Sequence, residues 1–157
     1  MDRYHWLVFL HVTGAFMVLG GAVMAGIFNV SALRRERPSE IVVLFRLARF
    51  AVTSITVGMV VTLGFGLWLV SDADYGWGDT WIVLALVLWV VANALGGIGG
   101  GRDKRTRELA EQLAAQGDAP SPELRARLRD PASLALSWGS GLVVVAILAL
   151  MIWKPGA

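Results

Sequence analysis

The sequence contains no cysteine. That excludes disulfides, thiolate nucleophiles, iron–sulfur clusters and cysteine-based zinc sites. Charge is also scarce: Asp, Glu, Lys and Arg make up 17% of the 157 residues, and 14 basic against 12 acidic side chains leave a net charge of only +2. So small an excess is no nucleic-acid-binding surface, and nucleic acid is dropped as a partner. Histidine occurs twice, at His5 and His11. What fills the space is apolar, 56% of the chain with a mean hydropathy of +0.63, which moves the chain out of the soluble class and into the membrane class.

A bilayer core of roughly 30 Å needs about 20 apolar residues of helix. Four stretches qualify, at about 6–33, 42–71, 80–100 and 132–153, the second uncharged from Phe50 onward. The first follows Met-Asp-Arg and is too long for the apolar run of a cleavable signal peptide, so it reads as a retained helix. The expected fold is all-α: a polytopic four-transmembrane-helix bundle, one membrane domain over 1–157, with a short helical cytoplasmic insert at 102–130.

Basic residues fix the expected sidedness, since short basic connections stay in the cytoplasm. The first connection and the start of the second helix hold Arg34, Arg35, Arg37, Arg46 and Arg49. The third holds Arg102, Lys104, Arg105, Arg107, Arg125, Arg127 and Arg129. Only Arg3 and Lys154 fall on the other side, together with the acidic turn carrying Asp72, Asp74 and Asp79. An even number of spans then puts both termini outside, and the excess of arginine over lysine with abundant Gly, Ala and Val is compatible with a bacterial gene, hence a bacterial cytoplasmic membrane. Tyr4, Trp6, Trp68, Tyr75, Trp77, Trp81 and Trp153 form an aromatic belt on that outer side. The arginines Arg34, Arg35, Arg37, Arg46, Arg49 and Arg102, with Lys104 and Arg105, are candidates for contact with anionic lipid or a cytoplasmic partner.

The insert reads as two short helices. The first runs from Arg102 to Gln116 and stops at Gly117-Asp118-Ala119-Pro120. The second starts on Ser121-Pro122-Glu123, and Asp130-Pro131 repeats that N-cap-plus-proline device before the fourth span. They are expected to rest on the inner leaflet and the bundle end.

Polar residues in a span are costly and therefore suspects. His11 lies about five residues, or ~7 Å, inside the boundary marked by Trp6. Steps of three and four from it give Tyr4, His11, Gly14, Val18, Gly21 and Ala25, a stripe with the small residues that mark close helix packing. His5 is about 240° around the helix from His11, which disfavours a joint metal site. A neutral imidazole facing the interior can be bonded to a hydroxyl or carbonyl of a neighbouring helix; the alternatives are haem ligation, copper ligation or proton transfer. Asn93 lies in the third span with Gly96, Gly97 and Gly100 on its face, and interhelical packing is the expected role of all four. The glycine run contains no GK[ST] and is no phosphate loop. The outer aspartates lack the spacing and closing glutamate of a calcium loop and read as a solvated turn.

The opening Tyr4-His5-Trp6-Leu7-Val8-Phe9-Leu10-His11-Val12-Thr13-Gly14-Ala15, the pair Gly20-Gly21, the basic stop after Leu33 and the ending Leu150-Met151-Ile152-Trp153-Lys154-Pro155 carry a resemblance over essentially the whole chain. They resemble the predicted integral membrane proteins of the domain-of-unknown-function family 2269. The first helix is similar to those of copper-resistance D proteins and of the haem-binding HemJ-type protoporphyrinogen oxidases. The resemblance implies a histidine ligand, which only His11 matches, with haem b as the cofactor. Further histidines or a membrane lysine have no counterpart here. Two functions follow: a non-enzymatic accessory subunit of a membrane complex or homo-oligomer, and a haem or copper protein using His11.

Overall fold

The computed structural model describes residues 2–73 and 75–156. They form α1 (Arg3–Leu33), α2 (Pro38–Asp72), α3 (Thr80–Ala115), α4 (Pro122–Leu128) and α5 (Pro131–Trp153). The fold is all-α, and α1, α2, α3 and the segment containing α5 are long and apolar enough to cross a membrane. The punctuation is as expected at three places. Ser121 Oγ accepts from the Leu124 amide and starts α4, and Asp130 accepts from the Ser133 amide and starts α5, each followed by proline. At the end of α3, Gly117 takes a φ of 119° and the Asp118 amide bonds back to the Leu113 carbonyl, the six-to-one bond of a Schellman stop.

One expected boundary is absent. Residues 102–116 are no separate helix, because α3 runs unbroken through Gly96–Gly101 for 36 residues. Glycine costs about 1 kcal/mol per site in a helix without breaking it, and no proline intervenes. The consequence is length: at 1.5 Å per residue, α1, α2 and α3 reach about 46, 52 and 54 Å, well beyond a hydrocarbon core of roughly 30 Å. Taking Trp6, Trp68, Trp81 and Trp153 as one boundary, about 20 residues along each helix lead to Gly26, Arg49, Gly101 and Ser133 at the other. A bond agrees with this level: Arg102 donates to Asp130 at 2.6 Å and to Ser133 Oγ at 3.4 Å.

Past that level the ends of α1, α2 and α3 gather with α4 into a small head. Ala32, Ile41, Val42, Phe45, Ala110 and Leu124 form its buried core, with Leu44, Leu109, Leu113 and Leu128 packed against it. Ile41, Leu124 and Pro38 are the largest fully buried side chains among the described residues. The insert is therefore part of a packed head with its own apolar core, in place of turns lying on a leaflet. A second cluster, Val70, Trp81 and Ile82 with Tyr75, Leu86 and Met151, ties α2, α3 and α5 at the aromatic end.

Between the two clusters the helices pack as pairs. On α1, Leu7, Gly14, Val18 and Gly21 are buried; on α2, Ala48, Ala51 and Gly58 are. These face each other so closely that a Cβ on Gly14 would stand 2.7 Å from the Thr62 amide and 3.0 Å from the Gly58 carbonyl, and one on Gly21 would stand 2.8 Å from the Ala51 carbonyl. Without lipid-excluding hydrophobicity to drive association, such backbone approach is what holds membrane helices together. In the second pair, Gly99 of α3 approaches Leu136 of α5 and Gly139 of α5 approaches Leu95 of α3; α3 buries Ala85 and Ala92, while α5 itself buries no residue.

Candidate functional site

His11 is placed by the α1–α2 approach. With Gly14 allowing contact, its imidazole lies against α2, and Nδ1 is 2.8 Å from the Thr62 carbonyl oxygen. A carbonyl only accepts, so Nδ1 carries the proton and donates, which leaves Nε2 as the ring's acceptor. Thr62 Oγ1 returns a long bond of 3.5 Å to the His11 carbonyl. Gly66, one turn along α2, makes room for the ring: a Cβ there would sit 2.9 Å from both Cε1 and Nδ1 of His11. About two turns deeper along the same seam, Ser54 donates to the Met17 carbonyl at 3.2 Å.

Chemically this arrangement offers one free imidazole nitrogen. His5 is exposed and stacks edge-on with Tyr4, so the two histidines do not converge. Among the described residues no three His, Asp or Glu side chains come together as metal ligands. The residues around His11 thus offer a single imidazole and no three-ligand metal set. What they form is a two-way interhelical bond.

The expected packing residues divide. Gly14 and Gly21 sit in the α1–α2 contact, and Ala25 is half-buried farther along α1. Asn93, Gly96, Gly97 and Gly100 find no packing partner among the described residues: the glycines have no atom within 4 Å of a built Cβ, and Asn93 is exposed. Within the chain, α3 instead uses Ala85, Ala92 and Gly99, the last 3.9 Å from Leu136 Cβ. These three recur every seventh residue, a signal present in the sequence but outshone by the denser glycine run. The Asn93 Nδ2 donates to the Trp89 carbonyl of its own helix at 2.8 Å. Its Oδ1 and second N–H have no partner among the described residues.

The basic residues divide as well. Arg34, Arg35 and Arg37 stand at the far end of the head, where Arg35 pairs with Glu40 at 3.7 Å and Arg125 pairs with Glu36 at 2.9 Å. A cleft of about 250 Å³ opens there over Ile41, Leu124 and Leu128. Both of its cations are already matched by a carboxylate, so it presents little unspent charge. Lower down, Arg46 pairs with Glu111, Arg102 with Asp130 and Lys104 with Glu108. Arg49 and Arg105 are exposed and without an acidic partner among the described residues.

Two arrangements lie outside what pattern reading reaches. Asp118, held at a φ of 58°, accepts from the Ser39 amide at 2.7 Å and from Ser39 Oγ at 2.6 Å. It acts as an N-cap for α2 delivered from the end of α3, 79 residues away in sequence, and both bonds together with nearby Arg37 lower its pKa. At the aromatic end, Lys154 Nζ donates to the Tyr75 hydroxyl at 2.7 Å and lies over the rings of Tyr75 and Trp81. Asp72 is paired with Arg3 in the same region, so that acidic turn is clasped from both ends of the chain. Of the other two acids that sequence reading places in this turn, Asp79 is the N-cap residue of α3 and Asp74 lies outside the described residues.

The chain belongs to DUF2269, a family of predicted integral membrane proteins. The match covers residues 5–155. No curated protein and no solved structure matches the chain significantly.

Proposed function

We propose that the chain is a non-catalytic subunit of a larger assembly in a bacterial cytoplasmic membrane, with its head in the cytoplasm and both termini outside. The observation that supports this most is the face of α3. Asn93, Gly97 and Gly100 lie within one narrow stripe, at offsets of four and seven residues. That stripe meets no other helix among the described residues, although it carries an amide with bonding capacity to spare. In hydrocarbon an unpaired amide is costly, while glycines let a second helix come close enough to satisfy it. The sidedness rests on the basic head and the acidic, aromatic opposite end.

The absence of native cysteine makes the test clean. Single cysteines at Gly97 and, as a lipid-facing control, at Val60 are introduced, and membranes are oxidised before solubilisation. The proposal expects a disulfide-linked or partner-linked species for the Gly97 cysteine alone, reduced by adding Asn93→Leu. A monomer at both positions, or a Soret band in the purified protein that disappears in His11→Ala, would overturn it. Impermeant thiol labelling of cysteines at Ser71 and Ala119 tests the sidedness, with Ser71 expected to label from outside.

A further inference from the structure

α5 buries none of its 23 residues, so it has no core of its own to hold it in place. At the head end its start is tied to α3 by the Arg102–Asp130 pair at 2.6 Å. Asp130 is fully engaged there, since it also accepts from the Ser133 amide at 3.0 Å and from Ser133 Oγ at 2.8 Å. At the aromatic end Met151 packs against the cluster of Val70, Trp81 and Ile82. Three residues on, Lys154 Nζ donates to the Tyr75 hydroxyl at 2.7 Å and lies 4.7 Å from the centre of the Tyr75 ring and 5.4 Å from that of Trp81. The two rings meet edge to face at 5.3 Å, and Trp81 is 5% exposed, so the ammonium rests on a rigid wall.

The approach of α3 and α5 is loose beside that of α1 and α2. A Cβ on Gly99 would stand 3.9 Å from Leu136 Cβ and one on Gly139 would stand 4.0 Å from Leu95 Cδ1, ordinary contact distances, whereas Gly14 and Gly58 would meet backbone atoms of the facing helix at 2.7 Å. The backbones of α3 and α5 are therefore not interlocked at these glycines, and the two helices can part without strain. Lys154 is the strained element. Its φ of 41° and ψ of 59° are left-handed, a conformation that helix ends usually give to glycine. A residue with a Cβ keeps it only while its surroundings hold it there, and for Lys154 these are the Tyr75 hydroxyl and two aromatic rings. Beyond it Gly156 lies against the start of α3, where its Cβ would be 3.4 Å from Thr80 Oγ1.

We propose that α5 is a hinged arm, fixed at the Arg102–Asp130 pair and latched by Lys154, that swings out from the bundle at its aromatic end when the latch opens. Opening breaks one charge-assisted hydrogen bond and one cation–π contact and lets the Lys154 backbone return to an ordinary conformation. It also withdraws Met151, which uncovers the Val70, Trp81 and Ile82 cluster to the bilayer. Pro131 opens α5 beside the fixed pair, and its lack of an amide hydrogen spares the pivot a backbone bond. The arm does not involve the Asn93 face of α3.

The chain has no cysteine, so pairs of spin labels in nanodiscs report the motion directly. Cysteines at Val60 and Ile152, each 66% exposed, span α2 and the latched end of α5. Cysteines at the exposed Phe50 and Ala135 span α2 and its fixed end. One dominant distance between labels at 60 and 152 is expected in the parent. Lys154→Met keeps much of the side-chain length without its charge or donors, and is expected to raise the population of a longer distance about tenfold, as for one hydrogen bond to a charged group. Lys154→Arg, which keeps a cation and donors, is expected to hold the parent distribution, and the distance between labels at 50 and 135 to be the same in all three proteins. An unchanged 60–152 distribution in Lys154→Met would overturn the proposal. So would equal broadening of both pairs, the mark of a bundle loosened as a whole, and so would a Lys154→Arg distribution identical to that of Lys154→Met, since the cation would then not be the latch.

Discussion

Replacing Gly58 by alanine adds one methyl group at the closest approach of α1 and α2. Its Cβ would lie 2.7 Å from the Gly14 carbonyl oxygen, 2.9 Å from Met17 Cβ and 2.9 Å from the Val18 amide nitrogen. Non-bonded carbon contacts are comfortable at about 3.5–4.0 Å, so the helices must part by roughly 0.7 Å. Rotamer changes cannot relieve this, because two of the three atoms are backbone and the third is a Cβ. A radial gap of that size forfeits about a quarter to a half of each contact's attraction along the seam. Overpacking of this kind costs about 1–3 kcal/mol, against which the better helix propensity of alanine returns about 1 kcal/mol. Gly20→Ala supplies the reference, since nothing lies within 4 Å of its Cβ. The assay is reversible unfolding by sodium dodecyl sulfate in mixed micelles. Gly58→Ala is expected to fall about 1–3 kcal/mol below Gly20→Ala. Equal stability of the two would refute the reading of the α1–α2 seam as backbone contact.

His11→Ala removes an interhelical bond and is expected to cost about 1 kcal/mol in the same assay. Gly66→Ala should cost a similar amount in the parent but little in the His11→Ala background, because its Cβ clashes only with the imidazole. Additive losses in that double variant would contradict the geometry. The Asp118 carboxyl is held below its ordinary pKa of 3.8 by its bonds to Ser39. A depressed folded pKa means that its stabilisation is present above 3.8 and is lost as pH falls through the lower folded value. Hydrogen exchange at the start of α2 is therefore expected to accelerate in acid in the parent and to be fast throughout in Asp118→Ala. Asp103 has the opposite sign: burial without a bonding partner raises its pKa, so its ionised form opposes folding above that pKa. Asp103→Asn is expected to raise the midpoint of thermal unfolding at neutral pH, with the gain shrinking as pH falls into the acid range.

Much of the fold was written in local signals. Apolar run length defined the spans, and the Ser121-Pro122 and Asp130-Pro131 pairs announced helix starts, because a cap acts within three residues of itself. Gly14 and Gly21 were visible as a stripe on the face of His11, and the structure puts them in contact with α2. The stripe through Asn93 and Gly97 was equally visible, yet it faces away from the rest of the chain. Helical periodicity gives the side of a helix and never its neighbour.

The sequence by itself determined that the chain is helical, how many stretches can cross a bilayer, and where several helices begin and stop, since hydropathy, helix rise and capping depend only on neighbouring residues. Tertiary structure alone decided the rest. It made the apparent insert into a head with an apolar core, by carrying α3 through its glycines. It brought Asp118 to Ser39 across 79 residues. It also turned His11 toward the Thr62 carbonyl and left Arg49 and Arg105 without an acidic partner among the described residues while Arg107, Arg125 and Arg127 found carboxylates. Those outcomes depend on which helices meet and at what depth, and contacts between distant segments leave no periodic trace in either segment.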